Sequence, residues 1–357
     1  MKKYLYNLAT DRSKGFIAEI LKFFLFLLSL IYAFAIKILS SWHLRNAVRL
    51  KCKVISVGNI TLGGTGKTTL VEYIAKFLKG EGKKIAILTR GYGKKCSRFA
   101  LHATRYETMG DEPYMLADNL KDVTVLVDSE RIRSAHRAIE DNCVDTVILD
   151  DGMQQWKIKK DMEIVTIDSL SVFGNGELIP RGILREPLSA LKRADIFLLT
   201  KVNLNPQIEK IKNYLRQINP RAEIFSSAHQ PVGFYELGKK EELLNPFVLK
   251  GKNVTLISGI GDPGSFEDLI VSLGINISLN FKFCDHYNYQ QEDLEKIMQE
   301  SKNNNIDTIV TTQKDAVRLA HLGFKNYGLR LMVMRIELKI IENEERFQSR
   351  LLKLYRA

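Results

Sequence analysis

The sequence predicts an α/β fold: a P-loop-type parallel sheet flanked by helices, then a second, smaller α/β domain, with an N-terminal membrane-associated helix ahead of both. Three observations predict it. From residue 53 onward, short apolar runs alternate with segments of helical period. A glycine-rich loop sits between the first such run and the first such helix. A charge-free stretch of fourteen residues lies near the N-terminus.

That stretch is Phe23 to Ile36, closed by Lys22 and Lys37. As a helix it spans roughly 21 Å, short of a hydrocarbon core of about 30 Å. Extended from Phe16 to Leu39, with Glu19 tolerated, it just reaches across. A cleaved leader needs small residues at the cut, and Ser29 to Ala35 is bulky. Basic residues stand on both sides, with Lys2, Lys3, Arg12 and Lys14 before it and Arg45, Arg49, Lys51 and Lys53 after it. The positive-inside rule therefore does not choose an orientation. Both a crossing helix and one dipping into a single leaflet fit; a buried core helix is the remaining alternative.

The next region, 53–229, carries the runs Val54–Val57, Ile85–Leu88, Val123–Val127, Val144–Leu149, Ile164–Ile167, Ile196–Leu199 and Ala222–Phe225. Helical patterns include Leu70–Leu78, Arg131–Ile139 and Ile208–Ile218. Continuously apolar strands suit a parallel sheet covered on both faces. Gln230-Pro231-Val232-Gly233 reads as a linker, and a second α/β block fills 230–357, ending in a basic helix from Asn343 to Tyr355. The expected domains are thus 1–52, 53–229 and 230–357.

The loop is Thr61-Leu62-Gly63-Gly64-Thr65-Gly66-Lys67-Thr68-Thr69. Strand, glycine-rich loop and helix in that order form a nucleoside triphosphate site. Loop and helix-start amides face phosphate oxygens, Lys67 reaches the outer phosphates, and the Thr68 hydroxyl ligates Mg²⁺. Thr61 replaces the first glycine of the usual pattern, so this is a variant. Downstream, Thr146 to Leu149 leads into Asp150-Asp151-Gly152, a strand ending in two carboxylates where a P-loop protein holds Mg²⁺. The same residues also fit a plain Asp-Gly turn.

Three further segments carry ionisable groups. Gly110-Asp111-Glu112-Pro113 opens a helix; its acids suit the helix dipole, and Asp111 also suits a general base. Phe283-Cys284-Asp285-His286 follows a strand and fits a surface turn as well as a catalytic support. Asn175 to Pro187 is a loop with Arg181 and Arg185 beside Glu177 and Glu186, fit for phosphate or simply solvated. Thr200-Lys201-Val202-Asn203 bears a weak likeness to the base-reading loop of GTPases.

Bulk properties narrow the partners. The chain has 357 residues, 45% hydrophobic and 26% charged, with a formal net charge of +12. That sign suits nucleic acid, an anionic membrane or a phosphorylated substrate. No compact Lys/Arg tract with interleaved aromatics occurs, so nucleic acid is not expected. Cys52, Cys96, Cys143 and Cys284 are scattered without a C-x-x-C pair, as in a reducing compartment.

The motifs occur in one order: GNITLGGTGKTT, RGYG at Arg90–Gly93, GDEP at 110–113, LDDGMQ at 149–154, GELIPRGILREPL at 176–188, TK at 200–201, FCDH at 283–286 and TTQKDAVRL at 311–319. This series resembles the tetraacyldisaccharide 4′-kinases, the lipid A 4′-kinases of Gram-negative bacteria, over nearly the whole chain. The resemblance implies a kinase at the cytoplasmic face of the inner membrane that uses ATP and Mg²⁺. Its acceptor would be the 4′-hydroxyl of an acylated glucosamine disaccharide 1-phosphate lipid. It further implies Asp111 as catalytic base with His286 as partner, and Lys67 as a catalytic phosphate ligand. Gly63, Gly64, Thr65, Gly66, Thr68 and Thr69 would hold nucleotide. Thr68, Asp150 and Asp151 would handle Mg²⁺, and Arg185, Glu186 and Arg131 would lie on the substrate side. A nucleotide-driven ATPase or switch and a binding module without turnover are the competing classes.

Overall fold

The computed structural model describes residues 2–90, 109–322 and 328–356. Positions 91–93 of the Arg90–Gly93 motif, Cys96, and the side chains of Lys2 and Lys3 lie outside the described residues. The chain forms two compact units that are not contiguous in sequence. The first comprises Met1–Arg90, Leu120–Ala228 and Lys339–Ala357; the second comprises Gly91–Asn119 and His229–Leu338.

In the first unit, β1 (Lys53–Gly58), β2 (Ile85–Thr89), β3 (Thr124–Val127), β4 (Thr146–Asp150), β5 (Met162–Asp168), β6 (Ile196–Thr200) and the start of β7 (Glu223–Glu236) build a sheet ordered β3-β2-β4-β1-β5-β6-β7. Their pairings are parallel. Every residue of β2, β4, β5 and β6 is buried, as continuous apolar runs covered on both faces require. The register pairs Val57 with Asp150 and Gly58 with Val165, so at their carboxyl ends β1 and β4 finish within one residue of each other while β5 runs on to Asp168. Open parallel sheets bind ligands at that edge.

Helix α3 (Lys67–Gly80) packs on this sheet through Leu70, Ile74 and Leu78, all fully buried at four-residue spacing. Each such side chain contributes about 1.5–3 kcal/mol of burial. The predicted basic C-terminal helix is present as Glu344–Leu352. It docks on the first unit: Phe347 is buried against Tyr73 and Phe225, and Arg346 pairs with Glu223 at 2.7 Å.

The N-terminal segment is two helices, α1 (Lys2–Ala9) and α2 (Phe16–Arg45). The sequence pattern foresaw only the second, which is longer than its charge-free centre. At 30 residues it measures roughly 45 Å, long and apolar enough to cross a membrane, and its large apolar side chains are mostly exposed. Lys22, which closes the charge-free stretch, is buried and bridges Glu19 at 2.8 Å and Asp11 at 3.1 Å.

In the second unit, β8 (Asn253–Ser258), β9 (Asn276–Lys282), β10 (Thr308–Thr312) and β11 (Arg330–Ile340) are ordered β11-β10-β8-β9 with parallel pairings. Its helices are α4 (Asp111–Asn119), α7 (Pro263–Ser272), α8 (Gln291–Asn303) and α9 (Gln313–Ala320), α5 and α6 being Arg131–Asn142 and Ile208–Ile218 of the first unit. The core gathers Phe234, Leu256, Phe266, Ile270, Val310 and Met332. One expectation is corrected here. Gln230 to Gly233 is not a linker but the middle of β7. Proline and glycine look like punctuation, yet Gly233 is there because a Cβ would lie 2.3 Å from the Leu244 carbonyl, beside the Phe234–Leu244 bridge.

Candidate functional site

The glycine-rich loop emerges at these strand ends. Gly63 (φ 113°) and Gly66 (φ 77°) adopt left-handed backbone that other residues take only with strain. A Cβ at Gly63 or Gly64 would meet nothing within 4 Å, so the loop's face is open where phosphates would approach. Gly66 precedes α3 directly and brings no side-chain cap, leaving the helix start to serve an anion. The loop is held from below: Thr65 Oγ1 meets Thr166 Oγ1 at 2.7 Å on β5, and Thr200 Oγ1 donates to the Thr65 carbonyl at 3.3 Å from β6.

The variant residue Thr61 has a structural reason. It is buried, bridges Leu184 in antiparallel fashion, and its hydroxyl accepts from Asn59 Nδ2 at 3.3 Å. Leu62 N–H donates to the Ile183 carbonyl at 2.7 Å, and Arg185 N–H to the Ile60 carbonyl at 2.6 Å. Extended backbone suits threonine here, and this stitching brings the Arg185 loop alongside the glycine-rich loop.

A charged cluster follows. Arg185 grips Asp151 with two parallel bonds of 2.8 Å and donates to the Asn59 carbonyl at 2.9 Å, reaching Asn59 Oδ1 as well. Lys67 Nζ lies 3.2 Å from Asn59 Oδ1 and 3.5 Å from Asp151. Two cations thus converge on one carboxylate, the arrangement that poises positive charge for phosphate oxygens. Asp151 itself has φ 54°, a left-handed turn that aims it away from the strand line. Arg131, buried on α5, donates to the Asp128 carbonyl at 2.6 Å and the Asp150 carbonyl at 3.4 Å. Burial pulls its guanidinium down to about 10 against the opposing charges of Asp150 and Asp151. Its Nε has no hydrogen-bond partner among the described residues.

Glu186 turns the other way. Its fully buried carboxylate accepts from Arg193 at 2.8 and 3.0 Å and from Gln154 Nε2 at 2.9 Å. Gln154 also donates to the Asn59 carbonyl at 3.1 Å, so Glu186 buttresses the strand end that Arg185 and Lys67 share. Lys201 is buried with φ 57° and pairs with Asp168 at 2.5 Å.

In the second unit, Asp111 is the first residue of α4, behind Gly110 at φ 86°. His286 Nδ1 lies 3.1 Å from Asp111 Oδ2, and Arg318 Nε lies 3.4 Å from the same oxygen. The hydrogen bond to Asp111 raises the His286 imidazole above its ordinary value, partly opposed by burial. His286 sits at φ 57°, a left-handed residue other than glycine.

The structure therefore brings Lys67, Asp151 and Arg185 together around Asn59, places Arg131 and Asp150 at the adjoining strand end, and pairs Asp111 with His286 in the other unit. Sequence reasoning did not single out Asn59, Gln154, Arg193, Tyr32 or Arg318. Asn59 and Gln154 lay inside motifs that were noticed, and a polar residue at the end of an apolar strand was the available signal. Tyr32 Oη donates to the Arg185 carbonyl at 2.8 Å, a contact across 153 positions that no local pattern reveals.

A family model described as tetraacyldisaccharide-1-P 4′-kinase matches residues 21–356. The tetraacyldisaccharide 4′-kinase of Halothermothrix orenii is 35% identical, with 95% of this chain and 94% of that protein aligned. That of Syntrophus aciditrophicus is 37% identical over 84% of this chain and 83% of its own. Among solved structures, apo-form LpxK from Aquifex aeolicus in complex with ATP superposes with a TM-score of 0.74 at 27% identity, covering 94% of this chain and all of that one. The chain belongs to the tetraacyldisaccharide 4′-kinase family.

Proposed function

We infer that this protein transfers the γ-phosphate of ATP to the 4′-hydroxyl of a tetraacylated glucosamine disaccharide 1-phosphate, making the bis-phosphorylated lipid of lipid A biosynthesis. The observation that carries the reading is the convergence of Lys67 and Arg185 on Asp151 beside an open glycine loop. Phosphoryl transfer asks little covalent chemistry of a protein. It asks for alignment, neutralisation of spreading negative charge, and a group to receive the acceptor's proton.

Each requirement has named residues. Gly63, Gly64, Thr65, Gly66, Thr68 and Thr69 cradle the nucleotide phosphates by backbone and hydroxyl groups. Lys67 and Arg185 neutralise phosphate charge, and Arg131 supports them from behind Asp150. Thr68, Asp150 and Asp151 supply hard oxygen donors of the kind Mg²⁺ takes and would hold it, where it would offset phosphate charge. Asp111 accepts the proton of the attacking hydroxyl, with His286 holding its carboxylate. Glu186 fixes the Arg185 loop through Arg193 and Gln154.

The acceptor's acyl chains belong in a bilayer, and α2 supplies the means of meeting them there. Its exposed apolar surface and basic flanks suit an anionic membrane surface, which we take to be the cytoplasmic face of the inner membrane. No nucleic acid enters this reading.

The experiment is direct. Purified protein is incubated with ATP, Mg²⁺ and disaccharide 1-phosphate lipid, and the lipid is examined by mass spectrometry. The reading predicts gain of one phosphate on the distal sugar, lost in Lys67→Ala. An unchanged lipid together with ATP consumption would instead identify a nucleotide-driven switch.

A further inference from the structure

The segment 311–319, noticed as a motif, has no part in the nucleotide reading. It forms the end of β10 and helix α9, and it carries a buried ion pair, Asp315 with Arg318 at 2.7 Å. Buried pairs contribute little net stability, because desolvation offsets their attraction. What this one holds is more informative.

Asp315 is fully buried. Its Oδ1 accepts from Gly259 N–H at 3.0 Å, Tyr289 Oη at 2.8 Å and Arg318, and its Oδ2 from Thr312 Oγ1 at 2.7 Å. Arg318, anchored this way, donates to the Gly259 carbonyl at 2.9 Å and the Tyr287 carbonyl at 2.9 Å. Gly259 O also accepts the His286 N–H at 3.2 Å. A Cβ at Gly259 would lie 2.8 Å from Tyr289 Oη and 3.1 Å from Asp315 Oδ1, so only glycine permits this closeness. The pair therefore pins both the 259 turn and the turn carrying left-handed His286. Its remaining edge, Arg318 Nε, donates to the Lys314 carbonyl at 3.4 Å and lies 3.4 Å from Asp111 Oδ2.

We propose that Arg318, anchored by Asp315, is a positioning residue for the Asp111–His286 pair: it fixes the backbone turn that presents His286 and places a cation against the carboxylate oxygen that His286 also meets. The inference rests on the reading of Asp111 as the proton acceptor. A neighbouring cation favours the ionised carboxylate, the form a base needs. The other groups facing this spot pull in both directions. On the 284–287 turn stand His286, Asp285 (3.9 Å from His286 Nε2), Cys284 and Tyr287. On α4 itself Glu112 follows Asp111, and Lys314 of α9 neutralises it. Among the described residues, Arg318 is a buried cation in contact with Asp111.

The test uses the full-length protein with ATP, Mg²⁺ and lipid acceptor, comparing Arg318→Met, Arg318→Lys and Asp111→Asn. In Arg318→Met, kcat falls roughly 10–100-fold, as for a misplaced catalytic group, while KM for ATP stays within about threefold. The acid limb of its pH–kcat profile moves up by about one unit. Arg318→Lys keeps the cation but not the planar fork that reaches two carbonyls. It restores the acid limb and only part of kcat. A merely structural residue would not separate these two readouts. If Arg318→Met does not fold, Arg318→Lys decides alone: lowered kcat with unchanged KM supports the proposal, and wild-type kcat overturns it. Wild-type kcat and acid limb in folded Arg318→Met, with Asp111→Asn inactive, overturn the proposal and leave the base assignment standing. Full activity in Asp111→Asn overturns both.

Discussion

The contact between α2 and the Arg185 loop gives a prediction that the sequence alone does not yield. Read linearly, the nucleotide site draws on nothing before Lys53, so removal of the apolar segment costs only localisation. In the structure, Tyr32 Oη donates to the Arg185 carbonyl at 2.8 Å. Nearer the start, Asp11 binds Arg181 at 2.8 Å and Asn175 at 3.2 Å, both on the same loop. Tyr32→Phe deletes one hydroxyl and little else. A neutral hydrogen bond of this kind is worth about 0.5–1.5 kcal/mol net. If the whole of it orders Arg185, the barrier rises by that amount and kcat falls roughly 2–10-fold. The loop keeps its backbone bonds to Ile60 and Leu62, so the upper end is a ceiling. KM for ATP changes little, because the phosphate-cradling loop is untouched. Asp11→Ala removes two ion pairs, to Arg181 and to Lys22, while Glu19 still holds Lys22. Of the two, only the Arg181 pair bears on the loop; it is worth about 0.2–1 kcal/mol, and the effect on kcat is the smaller. The assay is steady-state phosphorylation of detergent-dispersed lipid, where membrane targeting no longer contributes. Wild-type kcat in Tyr32→Phe under those conditions refutes the coupling and leaves α2 as an anchor only. Deletion of residues 1–40 then separates the effects: activity on detergent substrate falls at least as far as in Tyr32→Phe, and activity on bilayer substrate falls further.

Other expectations follow from the two clusters. Lys67→Ala lowers kcat roughly 100-fold or more, the scale for losing a preorganised charge, while circular dichroism shows the fold intact; near-normal turnover would remove Lys67 from the site. Asp111→Asn lowers turnover about 10²–10⁴-fold with ATP affinity kept, and His286→Ala adds less on that background than alone, since the two act as a unit. Independent multiplication of the two losses in a double-mutant cycle would break the pair. Thermal stability carries the same contact in its pH dependence. Asp111 raises the folded-state imidazole above its ordinary 6.5, so the contribution of His286 is full below 6.5 and fades as pH rises through the raised value. The Tm difference between wild type and His286→Gln is therefore widest on the acid side; a difference that grows with pH contradicts the assignment.

Much of this was legible in sequence for identifiable reasons. Continuous apolar runs such as Ile164–Ile167 and Ile196–Leu199 mark strands buried on both faces, and β5 and β6 enclose those residues. The glycine loop and the paired acids are local, and strand order brings them level because β1 and β4 are neighbours. Contacts set by topology were not legible. Asn59 reads as an ordinary polar residue until Lys67, Gln154 and Arg185 are seen to meet it. Pro231 and Gly233 suggested a break where packing against Leu244 explains the glycine within a strand. Arg318 reads as one more basic residue on a helix, and only folding places it beside Asp111, 207 positions earlier in a different segment of the same unit.

The central claim is that the phosphate goes to a lipid hydroxyl rather than to water. Parallel measurement of ADP released and lipid phosphate formed, with and without disaccharide 1-phosphate in the bilayer, tests it most directly. The account predicts one lipid phosphorylated for each ADP and negligible ADP without acceptor. ADP release that proceeds undiminished without the lipid, or exceeds lipid phosphorylation severalfold in its presence, would contradict it.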